Sequence, residues 1–251
     1  VWIGITTPLF YLVLFLIGLF IVFNKLKKNF LNLDHDGGKK LFYTFEQKID
    51  FIMLAYFLLP VVAVILFNST LYGGWRHLYF IFPSIIYLSI YGIDFLLNTK
   101  IKFIKTFLFG LVFLFLINNI KNIIKLHPFQ NVYFNIIAEK RANKLFEIDS
   151  WGLANSKAIE FILKDSDDEK EINVRTASFT PLEYSVNIIN NERINKLNLD
   201  GTVDLGQKYI FTNYIYERDP RFTKKYIISN EYKKIYSLRK GNIIINEIFK
   251  K

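Results

Sequence analysis

Three long stretches of the chain and one shorter stretch are almost free of charged residues. No charged residue occurs in residues 1–23 or 51–75, and residues 78–97 contain only Asp94, near the end of the stretch. A shorter stretch, residues 106–120, is also uncharged. A helix of about 20 apolar residues can cross the hydrocarbon core of a bilayer, which is ~30 Å thick. The pattern therefore predicts four transmembrane helices, at about residues 3–23, 50–70, 78–97 and 103–121.

The remainder of the chain has the patterns of a small α/β domain. Apolar positions at helical spacing in residues 151–165 predict a helix, and a second helix is predicted at 180–190 with Thr180 as its N-cap. Strands are predicted at residues 172–177 and 208–213, and residues 233–249 alternate across a glycine-containing turn, as a hairpin does. We expect an α-helical membrane protein with a transmembrane domain at residues 1–125, followed by a small extracytoplasmic α/β domain at residues 126–251.

Composition supports the membrane interpretation, and the distribution of charge predicts the topology. The 251 residues are 52% hydrophobic and 18% aromatic, a combination that soluble domains seldom have. The loops at residues 24–48 and 100–105 contain six and three lysines, whereas the only charged residue in the loop between the second and third predicted spans is Arg76. The positive-inside rule then predicts cytoplasmic Lys-rich loops and an extracytoplasmic Arg76 loop and C-terminal domain. We expect a multi-pass protein of the cell inner (plasma) membrane.

The net charge of +10 does not indicate binding to nucleic acid, because the basic residues form no single patch interleaved with exposed aromatic residues. The absence of cysteine excludes disulfide bonds and thiolate metal sites. The first apolar run lacks an initiating methionine, a basic n-region and a cleavage site, so a signal peptide is not favoured. We interpret the sequence as the C-terminal portion of a longer membrane protein.

The first candidate site is the sequence YGGWRH, between the second and third predicted spans. Two glycines allow a tight turn, Tyr72 and Trp75 suit the lipid headgroup level, and Arg76 would lie among the lipid phosphates. A guanidinium group can bind phosphate oxygens in a bidentate manner, and His77 can donate a further hydrogen bond. The alternative interpretation is an interfacial aromatic belt with a snorkelling arginine.

Two further clusters follow the fourth predicted span. HPFQNVYFN contains His127, Tyr133 and Asn135 and is typical of a segment along the membrane surface; it could bind substrate or only anchor the domain. FEIDSWG contains Glu147 and Asp149, which would lie on one face of a strand and could serve acid–base chemistry or metal binding. The alternative for this pair is a helix N-terminus that is preceded by acidic residues.

Other acidic stretches are interpreted as solvated loops. DHDGG, residues 34–38, is similar to a metal-ligand cluster but falls in a loop predicted to be cytoplasmic, and residues 165–171 form a charged run. The sequence contains no zinc, Walker or Gly-x-Ser-x-Gly motif. We therefore assign no metal ligands.

In their order along the chain, these clusters resemble the C-terminal half of the GT-C type membrane glycosyltransferases that use polyprenyl-phosphate sugars, related to protein O-mannosyltransferases and aminoarabinose transferases. LYGGWRHLYFIFP, HPFQNVYFN and FEIDSWGLANSKAIEFI are the segments that carry the resemblance, within about residues 5–165. Gly73 and Ser150 depart from the family pattern, which has Asp and Tyr there.

The resemblance implies transfer of a sugar from a polyprenyl-phosphate donor to an acceptor glycan, lipid or protein, with a possible divalent metal. Arg76, His77, Trp75, Tyr72, His127, Tyr133 and Asn135 would bind substrate. The family's catalytic acidic residue, an Asp that acts as general base, lies in a segment that these residues do not match, so the catalytic residue is not assigned. The alternatives are a non-catalytic membrane assembly or scaffold module with an outer binding domain and, less favoured, a transporter. The sequence indicates neither the ion pair within the membrane nor the inverted repeat expected of a transporter.

Overall fold

A computed structural model describes residues 1–31, 42, 44–71, 73–98, 100–166, 170–199, 207–216 and 220–251. The chain divides into two compact units, Val1–Asn122 and Ile123–Lys251, and each is considered by itself.

Unit 1 is helical. Its helices are α1 (Trp2–Thr6), α2 (Leu9–Leu31), α3 (Phe45–Leu66), α4 (Phe82–Leu97) and α5 (Lys102–Leu126), and a 3-10 helix, Arg76–Ile81, leads into α4. The last four residues of α5, 123–126, belong to unit 2. Among the described residues, four segments are long and apolar enough to cross a membrane: Leu9–Phe30, Phe45–Leu66, Arg76–Leu97 and Lys102–Leu126. The prediction of four apolar spans is confirmed at this level.

The predicted boundaries of the spans need correction. The first predicted span is interrupted before Pro8, because a residue that precedes proline is pushed towards extended backbone and Thr7 adopts φ −102° and ψ 136°. The helix restarts at Leu9 and continues to Leu31, past several lysines that the prediction had placed in a loop. The second span begins at Phe45 instead of 50 and ends at Leu66.

Helices α2 and α4 approach each other closely at two glycines. A Cβ atom added to Gly92 would lie 2.1 Å from the carbonyl oxygen of Leu14, and one added to Gly18 would lie 1.7 Å from the carbonyl oxygen of Leu88. Small residues at such contacts let two membrane helices pack backbone against backbone. Buried apolar side chains of α2, α3 and α4, including Phe15, Phe57 and Leu88, form the core around this contact.

Unit 1 also contains an ion pair between two of the candidate spans, which was not predicted from the sequence. The Lys25 ammonium lies 2.7 Å from Asp50 Oδ2, and the Asp50 side chain has no exposed surface. The Tyr87 hydroxyl of α4 donates to Asp50 Oδ1 at 2.8 Å. The sequence had placed both charges beyond the ends of apolar runs, but α2 and α3 extend far enough to include them.

In the part of unit 2 that the structure describes, five strands form one sheet. Its strands are β1 (Ile172–Thr176), β2 (Leu197–Asn198), β3 (Tyr209–Thr212), β4 (Lys233–Lys240) and β5 (Ile243–Lys250), in the order β2-β1-β3-β5-β4. Strand β1 is parallel to β2 and β3, whereas β5 is antiparallel to β3 and β4. The predicted strands and the hairpin are confirmed, and the two-residue strand β2 was not predicted.

The helices of unit 2 are α6 (Ala142–Leu145), α7 (Asn155–Asp165) and α8 (Glu183–Val186). Short 3-10 helices span Gln130–Val132, Glu139–Arg141, Glu192–Lys196 and Pro220–Tyr226. The buried face of α7 packs on the sheet and places Ile159 and Ile162 in one core with Tyr209 and Phe211. A small α/β region thus follows the apolar helices, as predicted.

The second helix predicted in this region is much shorter than expected. It covers only the four residues of α8, and Leu182 precedes it as a cap residue that makes no side-chain cap hydrogen bond. The Thr180 hydroxyl instead accepts a hydrogen bond from Asn213 Nδ2 at 2.9 Å. Thr180 therefore contributes to tertiary structure instead of initiating a helix.

Candidate functional site

The connection between α3 and α4 is a glycine turn anchored by Trp75. Gly73 and Gly74 have φ values of 66° and 75°, in the left-handed region that glycine adopts without steric cost. Trp75 is buried, and its indole Nε1–H donates to Thr6 Oγ1 at 3.0 Å. These contacts attach the turn to α1. Tyr72 lies outside the described residues.

Arg76 and His77 follow Trp75 at the start of the 3-10 helix. The Arg76 side chain is half-buried, and its Nε–H donates to His77 Nε2 at 3.4 Å, while His77 is exposed. Because Trp75 is fixed by Thr6 and by edge-on packing against Tyr79, with ring centroids 4.9 Å apart, the backbone that carries Arg76 is held at the start of the 3-10 helix. The structure thus places an arginine and a histidine together at the end of an apolar span.

The predicted residues after α5 lie in unit 2 and differ in their accessibility. His127 is exposed, and its Nδ1 atom lies 3.1 Å from Gln130 Nε2. Tyr133 is half-buried, and its burial, followed by the negative charge of Glu139, raises the pKa of its phenol. Asn135 is buried, and its Oδ1 atom accepts the backbone N–H of Ile137 at 3.2 Å, so it supports its own loop.

The expectation that Glu147 and Asp149 share one face of a strand is wrong. Residues 146–150 form no strand; Glu147 is exposed, whereas Asp149 is fully buried. The Asp149 carboxylate accepts the backbone N–H groups of Leu153 at 3.1 Å and Ala154 at 2.8 Å, directly before α7. It also accepts from Asn131 Nδ2 at 3.0 Å. Asp149 therefore caps the N-terminus of α7, which agrees with the alternative interpretation of the pair as acidic residues before a helix.

Sequence reasoning missed a buried polar network at the carboxyl ends of the parallel strands β1 and β3. Asn213, directly after β3, donates through Nδ2 to Thr180 Oγ1 and, at 3.3 Å, to the backbone oxygen of Asp149. The Ser178 hydroxyl, just after β1, donates to Asn213 Oδ1. Polar residues at or just after the ends of two predicted strands were the available signal, since ligands often bind at this edge of parallel sheets. Here these side chains bond to one another and close the edge.

Unit 2 has an open cleft of about 470 Å³. Its lining residues are Asn143, Lys144, Leu145, Phe146, Glu147, Tyr214, Tyr216 and Ile244. The predicted residue Glu147 thus lines this cleft, and Asp149 is not among its lining residues. The volume is in the range of small-molecule sites, which is roughly 300–1,000 Å³.

One wall of the cleft rests on a buried carboxylate. Tyr214 has a positive φ of 61°, which is uncommon for a residue with a side chain, and its hydroxyl donates to Glu247. Ser237 donates to Glu247 at 2.8 Å and Lys234 at 3.2 Å. Burial by itself would raise the pKa of Glu247, but the hydrogen bonds from Tyr214, Ser237 and Lys234 outweigh it and leave the pKa lowered.

Among the residues that the structure describes, no group of three or more His, Cys, Asp or Glu side chains could hold a metal ion. The acidic cluster at residues 34–38 lies outside those residues. The candidate residues therefore fall into two sets, with Arg76 and its neighbours in unit 1 and the remainder in unit 2. Comparisons of the chain with protein-family models, with curated proteins and with solved structures found no match.

Proposed function

We propose that this chain is part of an integral membrane glycosyltransferase of the inner membrane, which transfers a sugar from a polyprenyl-phosphate donor to an acceptor on the extracytoplasmic face. The observation that carries the proposal is the placement of Arg76: a half-buried arginine at the start of the 22-residue apolar segment Arg76–Leu97, beside His77. The resemblance of YGGWRH, HPFQNVYFN and FEIDSWG to the polyprenyl-phosphate-dependent transferases supports the same reading.

In this proposal Arg76 binds the donor phosphate. The prenyl chain of such a donor remains among the apolar helices while its phosphate lies at the membrane boundary, where a planar guanidinium can bind two phosphate oxygens. During transfer the bond between the sugar and the phosphate breaks, and negative charge develops on the departing phosphate. The Arg76 guanidinium is a positively charged hydrogen-bond donor that is already in position, so it stabilises that developing charge more than it stabilises the ground state.

Trp75 and the two glycines act on this site through position. The indole of Trp75 is buried and donates to Thr6, so its contribution is to hold the following residue, Arg76, at the start of the 3-10 helix. The general base is not assigned to this chain, because the resemblance places it in a segment without a counterpart here. The acceptor is a glycan, a lipid or a protein.

The test is binding of polyprenyl phosphate to the full chain in nanodiscs, measured by displacement of a fluorescent polyprenyl phosphate. R76A should weaken binding at least tenfold, because a charge-assisted hydrogen-bonded pair contributes about 1.5–3 kcal/mol. R76K, which retains charge but loses the bidentate geometry, should lie between wild type and R76A. In turnover the loss of one such donor should cost about a hundredfold or more.

Arg141 provides the matched control, since it is an exposed arginine of unit 2. R141A should bind polyprenyl phosphate like wild type. Equal affinities of wild type and R76A would refute the proposed role of Arg76.

The second candidate is a membrane-anchored assembly module whose unit 2 binds a partner. The open cleft lined by Tyr214, Tyr216 and Glu147 favours it, because this feature requires no catalysis by the chain. The binding test separates the two candidates: an assembly module has no preference for polyprenyl phosphate, and R76A leaves its lipid binding unchanged.

A further inference from the structure

A groove on unit 1 changes from apolar to basic along its length. It has a volume of about 680 Å³ and is lined by Leu16, Ile17, Phe20, Ile21, Asn24, Lys25, Lys28 and Phe95. All of these residues except Phe95 belong to α2, where residues four apart share one face of the helix. Phe95 of α4 forms part of the other wall. From Leu16 to Lys28 the groove covers about 18 Å of helix, close to the half-thickness of a bilayer.

The basic end of the groove has an organised set of hydrogen-bond donors. Asp50 accepts one hydrogen bond from Lys25 at 2.7 Å, and the Lys25 ammonium also lies over the Tyr91 ring, 5.6 Å from its centroid. The Lys25 side chain nevertheless keeps 36% of its surface exposed. An ammonium group has three N–H donors, so Lys25 can donate to a ligand while it remains paired with Asp50.

Lys28 supplies the net charge at this end. Asp50 neutralises Lys25, whereas Lys28 is exposed and, among the residues that the structure describes, no carboxylate lies within salt-bridge distance of it. The mouth of the groove therefore carries about one positive charge and the Asn24 amide, next to a wall formed by Leu16, Phe20 and Phe95. This combination is complementary to a phosphate group joined to an acyl chain.

We propose that this groove is a binding site for an anionic phospholipid of the bilayer. Its phosphate binds Lys28 and Lys25 at the basic end, and one acyl chain lies along Leu16, Phe20 and Phe95. Basic pockets beside transmembrane helices bind anionic headgroups in this manner. The charge pattern of the sequence predicts that this end of the helices is cytoplasmic, but the site depends only on the groove.

This site is separate from the one proposed at Arg76. Asp50 lies in the first turns of α3, whereas Arg76 comes ten positions after its last residue, Leu66, and the 16 positions from Asp50 to Leu66 correspond to about 24 Å. A polyprenyl phosphate at Arg76 and a phospholipid at Lys28 would therefore occupy opposite ends of α3. The inference stands or fails independently of the proposed transferase.

Native mass spectrometry of the full chain in detergent micelles tests the headgroup. The protein is titrated with phosphatidylglycerol and, separately, with phosphatidylcholine of the same acyl chains. Wild type should prefer phosphatidylglycerol by about fivefold, the gain expected from one lysine near an anionic headgroup. K28Q should abolish the preference. K27Q should retain it, because the adjacent Lys27 is exposed but does not line the groove.

A second pair of variants tests the apolar wall. Phe95 is 60% exposed and lines the groove, and Phe113 of α5 is 63% exposed and does not. F95A should weaken the binding of both phospholipids to a similar extent, and F113A should weaken the binding of neither. Glycerol phosphate, which has the headgroup phosphate without acyl chains, should compete poorly.

Three results would overturn the proposal. Equal loss of preference in K27Q and K28Q would show diffuse charge attraction, and full competition by glycerol phosphate would show a site for phosphate alone. Equal binding of the two phospholipids by wild type would refute the proposed site. R76A should leave phosphatidylglycerol binding unchanged, which keeps this test distinct from that of the transferase.

Discussion

Replacement of Asp149 by alanine tests whether this residue is structural or catalytic. The carboxylate is fully buried and accepts three hydrogen bonds, from the backbone N–H groups of Leu153 and Ala154 and from the side chain of Asn131. D149A removes all three acceptor contacts. Helix α7, which follows, has no side-chain cap from its own N-cap residue, Ala154.

The expected loss is about 3 kcal/mol. The N–H of Ala154 lies in a fully buried residue, and a buried donor without a partner costs about 1–3 kcal/mol. The N–H of Leu153 is partly buried and adds about 1 kcal/mol, similar to the loss of a helix cap. Asn131 is exposed and can bond to water instead, so its contribution is small.

Hydrogen–deuterium exchange of the full chain measures this loss at α7. A local destabilisation of about 3 kcal/mol should increase exchange of the α7 amides about a hundredfold. D149N retains the shape and one carbonyl oxygen, so its increase should be intermediate. If Asp149 were instead a catalytic acid or base, D149N and D149A would abolish turnover equally while exchange at α7 stayed unchanged.

Glu147 provides the control, because it is exposed and lies two residues from Asp149. E147A should leave exchange at α7 as in wild type. Wild-type exchange in D149A would refute the capping role.

Two further predictions concern packing in unit 1 and acid stability in unit 2. G92A should destabilise the helix bundle by about 1–3 kcal/mol, because its Cβ would lie 2.1 Å from the Leu14 carbonyl oxygen and α2 and α4 would have to separate. A fall in the thermal unfolding temperature in detergent would measure it. Because the pKa of Glu247 is lowered from its ordinary value of 4.5, its carboxylate stabilises the fold above that pH, and the stabilisation is lost as the pH falls through the folded-state pKa. Y214F removes one hydrogen bond to Glu247 and should move the acid loss to higher pH, as measured by urea unfolding between about pH 3 and 6.

Each of these predictions has a matched control. For G92A it is G110A, since a Cβ on Gly110 meets nothing within 4 Å and alanine favours helix, so stability should stay level or rise. For Y214F it is Y216F, which removes the hydroxyl of a neighbouring tyrosine in the same cleft. Equal destabilisation by both glycine variants, or equal shifts in both tyrosine variants, would contradict the contacts described.

The candidate site illustrates how far local patterns reach. The sequence alone shows that Arg76 lies between two apolar runs and follows two glycines, because both features are properties of a few neighbouring residues. It could not show that Trp75 is buried against Thr6, a contact across 69 positions. It also treated Glu147 and Asp149 as equivalent, although one is exposed and the other fully buried.

The sequence by itself determined the four apolar helices, the strands β1 and β3 and the β4–β5 hairpin. Each of these follows from the length or periodicity of hydrophobic positions within one segment, because the transfer of apolar side chains out of water depends on the residues of that segment alone. Only the tertiary structure decided that Lys25 pairs with Asp50, that α2 meets α4 at two glycines, and that Asp149 caps α7. Those outcomes depend on which distant segments come together, and burial and hydrogen-bond satisfaction are settled only when they do.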